Sequence, residues 1–461
     1  MKSNPTASLF GTDGVRGIAN ADLTSELALD IGRAFGGWLA EQTDSPHVLM
    51  ARDTRISGPM LATAVAAGLC SAGIDVRDCG ILTTPGLCLL VREQAQTVGI
   101  VISASHNPPE FNGIKLIDSS GQKLSEQAES TVERCLFADE DAEPPGGTDI
   151  GTITDYPDAG EQYLELLRSN LGETVSLGGI KIVVDCAFGA AFDLGPEALR
   201  RARAEVSTLN AAPDGARIND GCGSVSPQAL SEQVVAGGAD LGVAFDGDAD
   251  RAVFVDHTGT VRDGDFIKFI VARDLNNRGL LDPSLVVGTV MSNLGLEMAL
   301  RSAGIELIRA PVGDRNVLQQ MKEHCAILGG EQSGHIVFAE TSVGDGIYTA
   351  LRVGEIIART GRTLAELCAP LTKAPQILLN VPVRDKYAYQ QNHDLKEEVE
   401  AWERRLANTG RVLVRPSGTE SVVRVMVEAH DDALAREAAQ SIAEMIAAED
   451  GTKPPAATPG Q

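Results

Sequence analysis

The sequence predicts an α/β protein: three similar mixed-sheet α/β domains followed by a C-terminal α+β domain, arranged around a central cleft. Three observations predict it. A strand–helix–strand pattern recurs three times, and 48 glycines suit a fold with many tight strand-to-helix turns. The 461 residues are enough for roughly three or four domains.

In the first copy the strand HVLMARD (47–53) leads to a helix around 59–72 and then to TVGIVISASHNP (97–108). In the second, IKIVVDCAFG (180–189) leads to a helix around 195–204 and to ADLGVAFDGDADR (239–251). In the third, SLVVGTVMSN (284–293) leads to a helix around 294–303 and to CAILGGEQSGH (325–335). Strands of the first two copies are continuously apolar, as strands covered on both faces tend to be. Alternation of strands with helices indicates βαβ units. Ligands of open α/β sheets bind beyond the carboxyl ends of strands, and each copy closes on a polar loop at such an end.

After about residue 372 the pattern changes to QILLNVPV, the charged segment DLKEEVEAWERRL, the strands of RVLVRPSGTESVVRVMVEA and an Ala-rich helix over 431–448. Residues 136–160 are acidic and Pro/Gly-rich and read as a linker; the tail DGTKPPAATPGQ reads as disordered.

Charge narrows the partners. The balance of 39 Lys and Arg against 64 Asp and Glu gives −25, which argues against nucleic acid and anionic membrane surfaces. An anionic substrate would have to be held by local Arg and Lys. The eight cysteines form no CxxC, so reduced thiols are expected instead of disulfides or zinc. The start MKSNPTASLFGTDG has no apolar signal region and no apolar run reaches spanning length, so a soluble, cytoplasmic protein is expected.

Five loops carry candidate chemistry. VAFDGDADR sets Asp246, Asp248 and Asp250 at alternate positions past a strand. Three such carboxylates repel one another unless a cation joins them, and hard oxygen ligands suit Mg²⁺. An EF-hand loop would need Gly and Glu where Arg251 and His257 stand. An aspartyl-nucleophile phosphatase also fits an apolar strand followed by DxD, with Asp246 as nucleophile and Ser105 idle. FGTDGVRG (10–17) offers backbone N–H groups and Arg16 to a phosphate. RPSGTES (415–421) gathers Arg415, Ser417, Gly418 and Thr419, the chemistry of a phosphate cradle. GGEQSGH (329–335) presents Glu331, Ser333 and His335, of which the first two suit sugar hydroxyls. VISASHNPPEFNGIK (101–115) brings Ser105, His106 and Lys115 together. Adjacent side chains seldom face each other, so a Ser-His-Asp triad is not indicated, and Lys115 is the better proton-transfer candidate. No GxxxxGK[ST] is present, which argues against nucleotide binding of the P-loop kind.

Taken together, ASHNP with NGxK, DGDADR, GEQSGH and RPSGTE resemble the α-D-phosphohexomutase family over nearly the whole chain. With GTDGVRG and VGDRNV (312–317), GEQSGH looks like the family's glucosamine branch, the glucose and mannose branches being the alternative. The resemblance implies a phosphoserine-bearing domain over 1–155, a metal-binding domain over 156–256, a sugar-recognition domain over 257–372, a phosphate-binding domain over 373–448 and a disordered tail over 449–461.

It also implies an isomerase that interconverts glucosamine 6-phosphate and glucosamine 1-phosphate for amino-sugar nucleotide and peptidoglycan precursor synthesis. Ser105 would be a phosphoserine that gives up its phosphoryl group, forms a sugar 1,6-bisphosphate and takes a phosphoryl group back. The bisphosphate would serve as activator. One Mg²⁺ per chain would sit on Asp246, Asp248, Asp250 and a phosphate oxygen of Ser105. Lys115, His335, Arg16 and Arg251 would act at the transferring group. Glu331 and Ser333 would read the sugar, and Arg415, Ser417, Gly418 and Thr419 would hold the other phosphate. Partners are limited to a phosphosugar, with no nucleic acid and no membrane; the assembly states left open include a homodimer. Ala249 stands where the family pattern has Gly, tolerable unless φ is positive, and Phe188 stands where Asn is usual.

Overall fold

The structure is a computed structural model, which describes residues 9–11, 13–43, 46–137, 145–171, 175–417, 421–450 and 452. Gly418, Thr419 and nearly all of the expected tail lie outside the described residues. The chain divides into two compact units, Met1–Thr289 with Ala310–Cys368, and Val290–Arg309 with Ala369–Gln461.

The first unit repeats one device three times. An opening strand runs parallel to the strand that carries the polar loop, and the chain then returns antiparallel to that loop-bearing strand. His47–Arg52 lies parallel to Thr97–Ile102, which pairs antiparallel with Phe111–Ile117. Lys181–Asp185 lies parallel to Leu241–Phe245, which pairs antiparallel with Ala252–Asp256. Leu285–Thr289 lies parallel to Leu328–Gly330, which pairs antiparallel with Ile336–Phe338. This makes each sheet mixed, as predicted, and sets each polar loop at a carboxyl strand end.

The strands earn their place by burial. Leu241–Phe245 and Ala252–Asp256 are buried along their whole length, the continuous apolar pattern of strands covered on both faces. Helices Ser25–Gln42 and Gly58–Ser71 cover the first sheet, burying Ile31, Phe35, Leu61 and Val65 in one core with Val48 and Ile100. The stretch read as a linker is partly built into this sheet: Ile153–Asp155 adds a strand parallel to Asp75–Ile81. Short acidic segments with an edge to pair against need little apolar content, which is why composition alone missed it.

In the second unit, Gln376–Pro382, Val422–Ala429 and Gly410–Pro416 form an antiparallel sheet in that order. Gln376–Pro382 alternates buried and outward residues, the period of a one-sided sheet. Helices His393–Leu406 and Asp432–Asp450 supply Leu395, Trp402, Ala439 and Ile442 to its core. The second helix runs two residues past the expected end at 448. Helix Leu294–Ser302 belongs here too, with the N-capping Asn293 bonded to Ala374 and to Glu428. The repeat pattern places that helix in the third copy, and contacts distant in sequence tie its start to the C-terminal sheet as well.

Candidate active site

Ser105 sits three residues past the end of Thr97–Ile102, with φ +50° and 1% exposure. A non-glycine residue holds this left-handed conformation only where its surroundings fix it. Ser103 Oγ accepts the Ser105 N–H at 2.9 Å and donates to Asp53 Oδ2 at 2.6 Å. Arg55, wholly buried, pairs with Asp53 at 3.0 Å and donates to the carbonyls of Ser105 at 3.0 Å, Asn107 at 2.8 Å, Phe111 at 2.9 Å and Pro108. Asn219 Nδ2 donates to the same Ser105 and Asn107 carbonyls at 2.8 and 3.0 Å. The serine is thus aimed by a guanidinium and an amide that clamp its backbone.

The hydroxyl points at the acidic loop. Ser105 Oγ donates to Asp246 Oδ2 at 2.6 Å. Gly247 makes this approach possible, because a Cβ there would fall 2.6 Å from the Ser105 carbonyl oxygen. His106 Nδ1 is 3.4 Å from Ser105 Oγ, beyond a strong hydrogen bond. Burial, then the charges of Arg251 and Arg16, lower His106 to about 4. The nucleophile–base pair of a triad is therefore not built here.

Asp246, Asp248 and Asp250 each place a carboxylate oxygen within 4.8 Å of the others. Burial first, then repulsion from Asp250 and Asp248, pushes Asp246 well above the usual carboxylate range. Burial also works against the charge of Asp248, but the Lys115 ammonium at 2.6 Å overcomes it and holds that carboxyl far below its ordinary value. Thr84 Oγ1 donates to the same Oδ2 at 2.5 Å. Asp248 Oδ1 and Asp250 Oδ1 are buried with no hydrogen-bond partner among the described residues. Two orphaned carboxylate oxygens in a buried, like-charged cluster fit a hard divalent cation such as Mg²⁺.

Ala249, in the middle of this loop, is fully buried at φ +59°. The expectation that a Cβ is tolerable there held only if φ was not positive, so the loop carries local strain of about 1 kcal/mol. It is held by the Gly346 N–H, which donates to the Ala249 carbonyl at 2.9 Å. Phe188 shows the same feature at φ +53°, where the usual Asn would sit more easily.

Positive charge gathers around the serine. Lys115 is buried; burial works against its charge, and Asp248 and Asp250 outweigh that and raise it. Arg251 lies 3.7 Å from Asp250. Arg16 donates to Asn107 Oδ1 at 3.1 Å and pairs with Asp13 at 3.3 Å. The Nε atoms of both arginines are buried without a hydrogen-bond partner among the described residues, that of Arg251 having only the longer ion pair with Asp250.

The third loop lies alongside. The Ala252 N–H donates to the Gly334 carbonyl at 3.1 Å. Glu331 Oε1 accepts the Gly313 N–H at 3.0 Å, and Ser333 is exposed. His335 is 6% exposed, with Nδ1 buried and unpartnered among the described residues. It lines a cavity of about 590 Å³ with Thr84, Lys123, Asp250, Asp314 and Arg315. Ser105, Lys115, Arg16, Arg251, the three aspartates, Glu331, Ser333 and His335 thus fall in one unit, on adjoining loops. Arg415 and Ser417 belong to the second unit. Arg415 faces Arg424 across the sheet; burial and that like charge lower it. Sequence reasoning missed Arg55, Asn219, Thr84 and Lys123. Arg55 alone had a local signal, the polar turn DTR at the end of His47–Arg52.

Mixed three-strand devices, each ending on a polar loop, with a buried serine set against a cation site, define the class: a multidomain α/β protein equipped for phosphate chemistry. Family models agree. Those of phosphoglucomutase/phosphomannomutase alpha/beta/alpha domains I, II and III match residues 7–143, 161–259 and 263–374, and that of the C-terminal domain matches 378–445. The chain belongs to the phosphoglucomutase/phosphomannomutase family.

A phosphoglucosamine mutase of Desulforamulus reducens is 47% identical over 442 residues, 95% of this chain and 99% of that one. One of Bacillus licheniformis is 45% identical over 447 residues, 96% and 99% of the two chains. Among solved structures, a Burkholderia thailandensis phosphoglucomutase/phosphomannomutase family protein superposes with a TM-score of 0.81 at 27% identity, covering 97% of this chain and 99% of that one. An Aspergillus fumigatus N-acetylphosphoglucosamine mutase, solved with GlcNAc-6P and magnesium, shares the fold at a TM-score of 0.67 and 19% identity, over 97% of each chain.

Proposed function

We propose that the chain interconverts glucosamine 6-phosphate and glucosamine 1-phosphate, with Ser105 carrying the phosphoryl group as phosphoserine. One observation carries the reading: Ser105 Oγ is held 2.6 Å from Asp246, at the edge of a buried cluster of three aspartates. The near full-length relatives named phosphoglucosamine mutase support the choice of sugar. No helix among the described residues is long and apolar enough to cross a membrane.

In the forward half, the bond from phosphorus to Ser105 Oγ breaks as a sugar hydroxyl oxygen bonds to phosphorus, and the hydroxyl proton passes to a protein base. The resulting 1,6-bisphosphate turns end for end. In the return half, the other phosphoryl group moves back to Ser105 and its sugar oxygen takes a proton. Lys115, paired with Asp248, is the proposed general acid/base that takes the hydroxyl proton and returns it in the second half, with His335 second. Arg16 and Arg251 offset the charge spread over the transferring phosphoryl oxygens. Asp246, Asp248, Asp250 and a phosphoserine oxygen would hold one Mg²⁺, which when bound supplies charge neutralisation at the transferring group. Glu331 and Ser333 read the sugar hydroxyls; Arg415 and Ser417, with Gly418 and Thr419, take the phosphate that is not reacting. A trace of sugar 1,6-bisphosphate serves as activator by phosphorylating Ser105.

The test is phosphorus NMR on glucosamine 6-phosphate, glucose 1-phosphate and mannose 1-phosphate, each with Mg²⁺ and catalytic sugar 1,6-bisphosphate. Preferential interconversion of the glucosamine phosphate is expected, and Ser105→Ala should abolish it. Faster turnover of the glucose or mannose phosphate would overturn the sugar assignment. Free phosphate without an isomer would overturn the mutase reading and point to Asp246 as a nucleophile.

A further inference from the structure

Lys123 stands outside every motif that the function uses, yet it joins two of them. Its Nζ pairs with Asp314 Oδ2 at 2.7 Å and with Asp13 Oδ1. Asp13 belongs to the glycine-rich loop and pairs onward with Arg16 at 3.3 Å, and Arg16 reaches Asn107 beside the reactive serine. Asp314 opens the helix Asp314–Glu323, next to Gly313, whose N–H donates to Glu331 Oε1 at 3.0 Å. One ammonium therefore sits between an arm that ends at the phosphoryl-transfer residues and an arm that ends at the sugar-reading carboxylate.

Neighbouring contacts run the same way. Arg315 Nη2 donates to the Leu124 carbonyl at 2.7 Å and to Glu129 Oε2 at 3.0 Å, and Lys322 Nζ donates to Gln122 Oε1 at 2.7 Å. The helix Asp314–Glu323 is thus stitched to the segment 122–129 from its first turn to its last, and Lys123 lines the 590 Å³ cavity together with Gln122, Arg315 and Lys322. Asp13 and Asp314 would repel each other without it. Burial works against the charge of Lys123, and Asp314 and Asp13 outweigh that and keep it protonated.

We propose that Lys123 is a positioning residue for the mutase reaction: through Asp13 it fixes Arg16 at the transferring phosphoryl group, and through Asp314 it fixes Glu331 at the sugar. This rests on the function proposed above. Placement errors of about 1 Å cost on the order of 100-fold in rate when they displace groups that must be pre-aligned. A lysine that only compensated two carboxylates would affect folding and leave kinetics alone.

The experiment compares wild type with Lys123→Met, Lys123→Arg and Asp314→Asn, in the full chain with Mg²⁺, using glucosamine 6-phosphate. Asp314→Asn removes the charge that Lys123 pairs with on the sugar arm and should raise KM about tenfold with kcat within about threefold. Lys123→Met cuts both arms and should raise KM and lower kcat, each about tenfold, with Lys123→Arg restoring most of the loss. Hydrogen exchange at the Gly313 amide should quicken in Lys123→Met and Asp314→Asn. If Lys123→Met does not fold, Asp314→Asn and its exchange decide the matter. Folded variants with wild-type kcat, KM and Gly313 exchange would overturn the proposal. Absence of turnover in the wild type would overturn the mutase reading instead, and Gly313 exchange would still test the latch.

Discussion

Lys115 Nζ lies 2.6 Å from Asp248 Oδ2, both side chains buried, on an oxygen of the candidate cation cluster. An ammonium and a divalent cation therefore compete for one carboxylate. Removing the ammonium leaves three aspartates with greater mutual repulsion and a stronger pull on a cation. Lys115→Met should lose about 10²-fold or more in turnover, the usual worth of a positioned proton donor, while binding Mn²⁺ at least as tightly as wild type by calorimetry. Loss of metal binding together with turnover would mean that Lys115 organises the cluster and does not handle the proton.

Arg55 makes a second prediction. It holds the carbonyls of Ser105, Asn107, Pro108 and Phe111 and neutralises Asp53, the Arg55 and Asp53 side chains being fully buried. Arg55→Ala strands a buried carboxylate and should cost about 3–5 kcal/mol in urea unfolding. Arg55→Lys keeps the charge but not the planar fork, so it should fold and still lose roughly tenfold or more in turnover because Ser105 is no longer clamped. A folded, fully active Arg55→Lys would show that Asn219 and Ser103 suffice to aim the serine.

What the sequence made legible follows from how each feature is encoded. Loops such as 103–110 and 246–251 stand out because an apolar strand stops and polar chemistry starts at once, a signal written within ten residues. Arg55 and Asn219 reach Ser105 from 50 and 114 residues away, and nothing local marks the target. Ala249 hides its conformation, since alanine is unremarkable in any region except the one it occupies. The helix Leu294–Ser302 carries the period of the third copy, but nothing local marks the carboxylate that anchors its start, 134 residues on.

That carboxylate, Glu428, is fully buried and accepts from the Leu294 N–H at 2.9 Å, Asn293 Nδ2 at 3.1 Å and Arg411 Nε at 2.6 Å. Glu428→Ala leaves the half-buried Arg411 without its counter-ion and the helix start without its acceptor, so a loss of about 3–5 kcal/mol is expected. Trp402 lies in the core of this unit and Trp38 in the other, so unfolding followed by fluorescence in a Trp38→Phe background isolates the effect. A shift of less than about 1 kcal/mol would mean that the sheet, and not Glu428, holds the start of the helix Leu294–Ser302.

Asp345 gives the pH dependence. It caps the helix Gly346–Thr360 by accepting the Tyr348 N–H at 2.9 Å, accepts the Tyr163 hydroxyl at 3.0 and 2.9 Å, and is pushed up to about 6 by burial, against an ordinary 3.8. Between those values the folded chain binds this proton and the unfolded chain does not. The contribution is therefore fully present below pH 3.8, falls as pH rises through 6 and is level above it. The drop is on the order of 3 kcal/mol. Asp345→Asn keeps a capping oxygen and an acceptor for Tyr163 but has no proton to lose. In urea titrations from pH 4 to 8, the stability of Asp345→Asn minus that of wild type should grow with pH up to about 6 and then flatten, other groups cancelling in the difference. A difference that stays constant across the range would show that the Asp345 carboxyl is ionised in the fold throughout, its charge carried by the two hydrogen bonds it accepts.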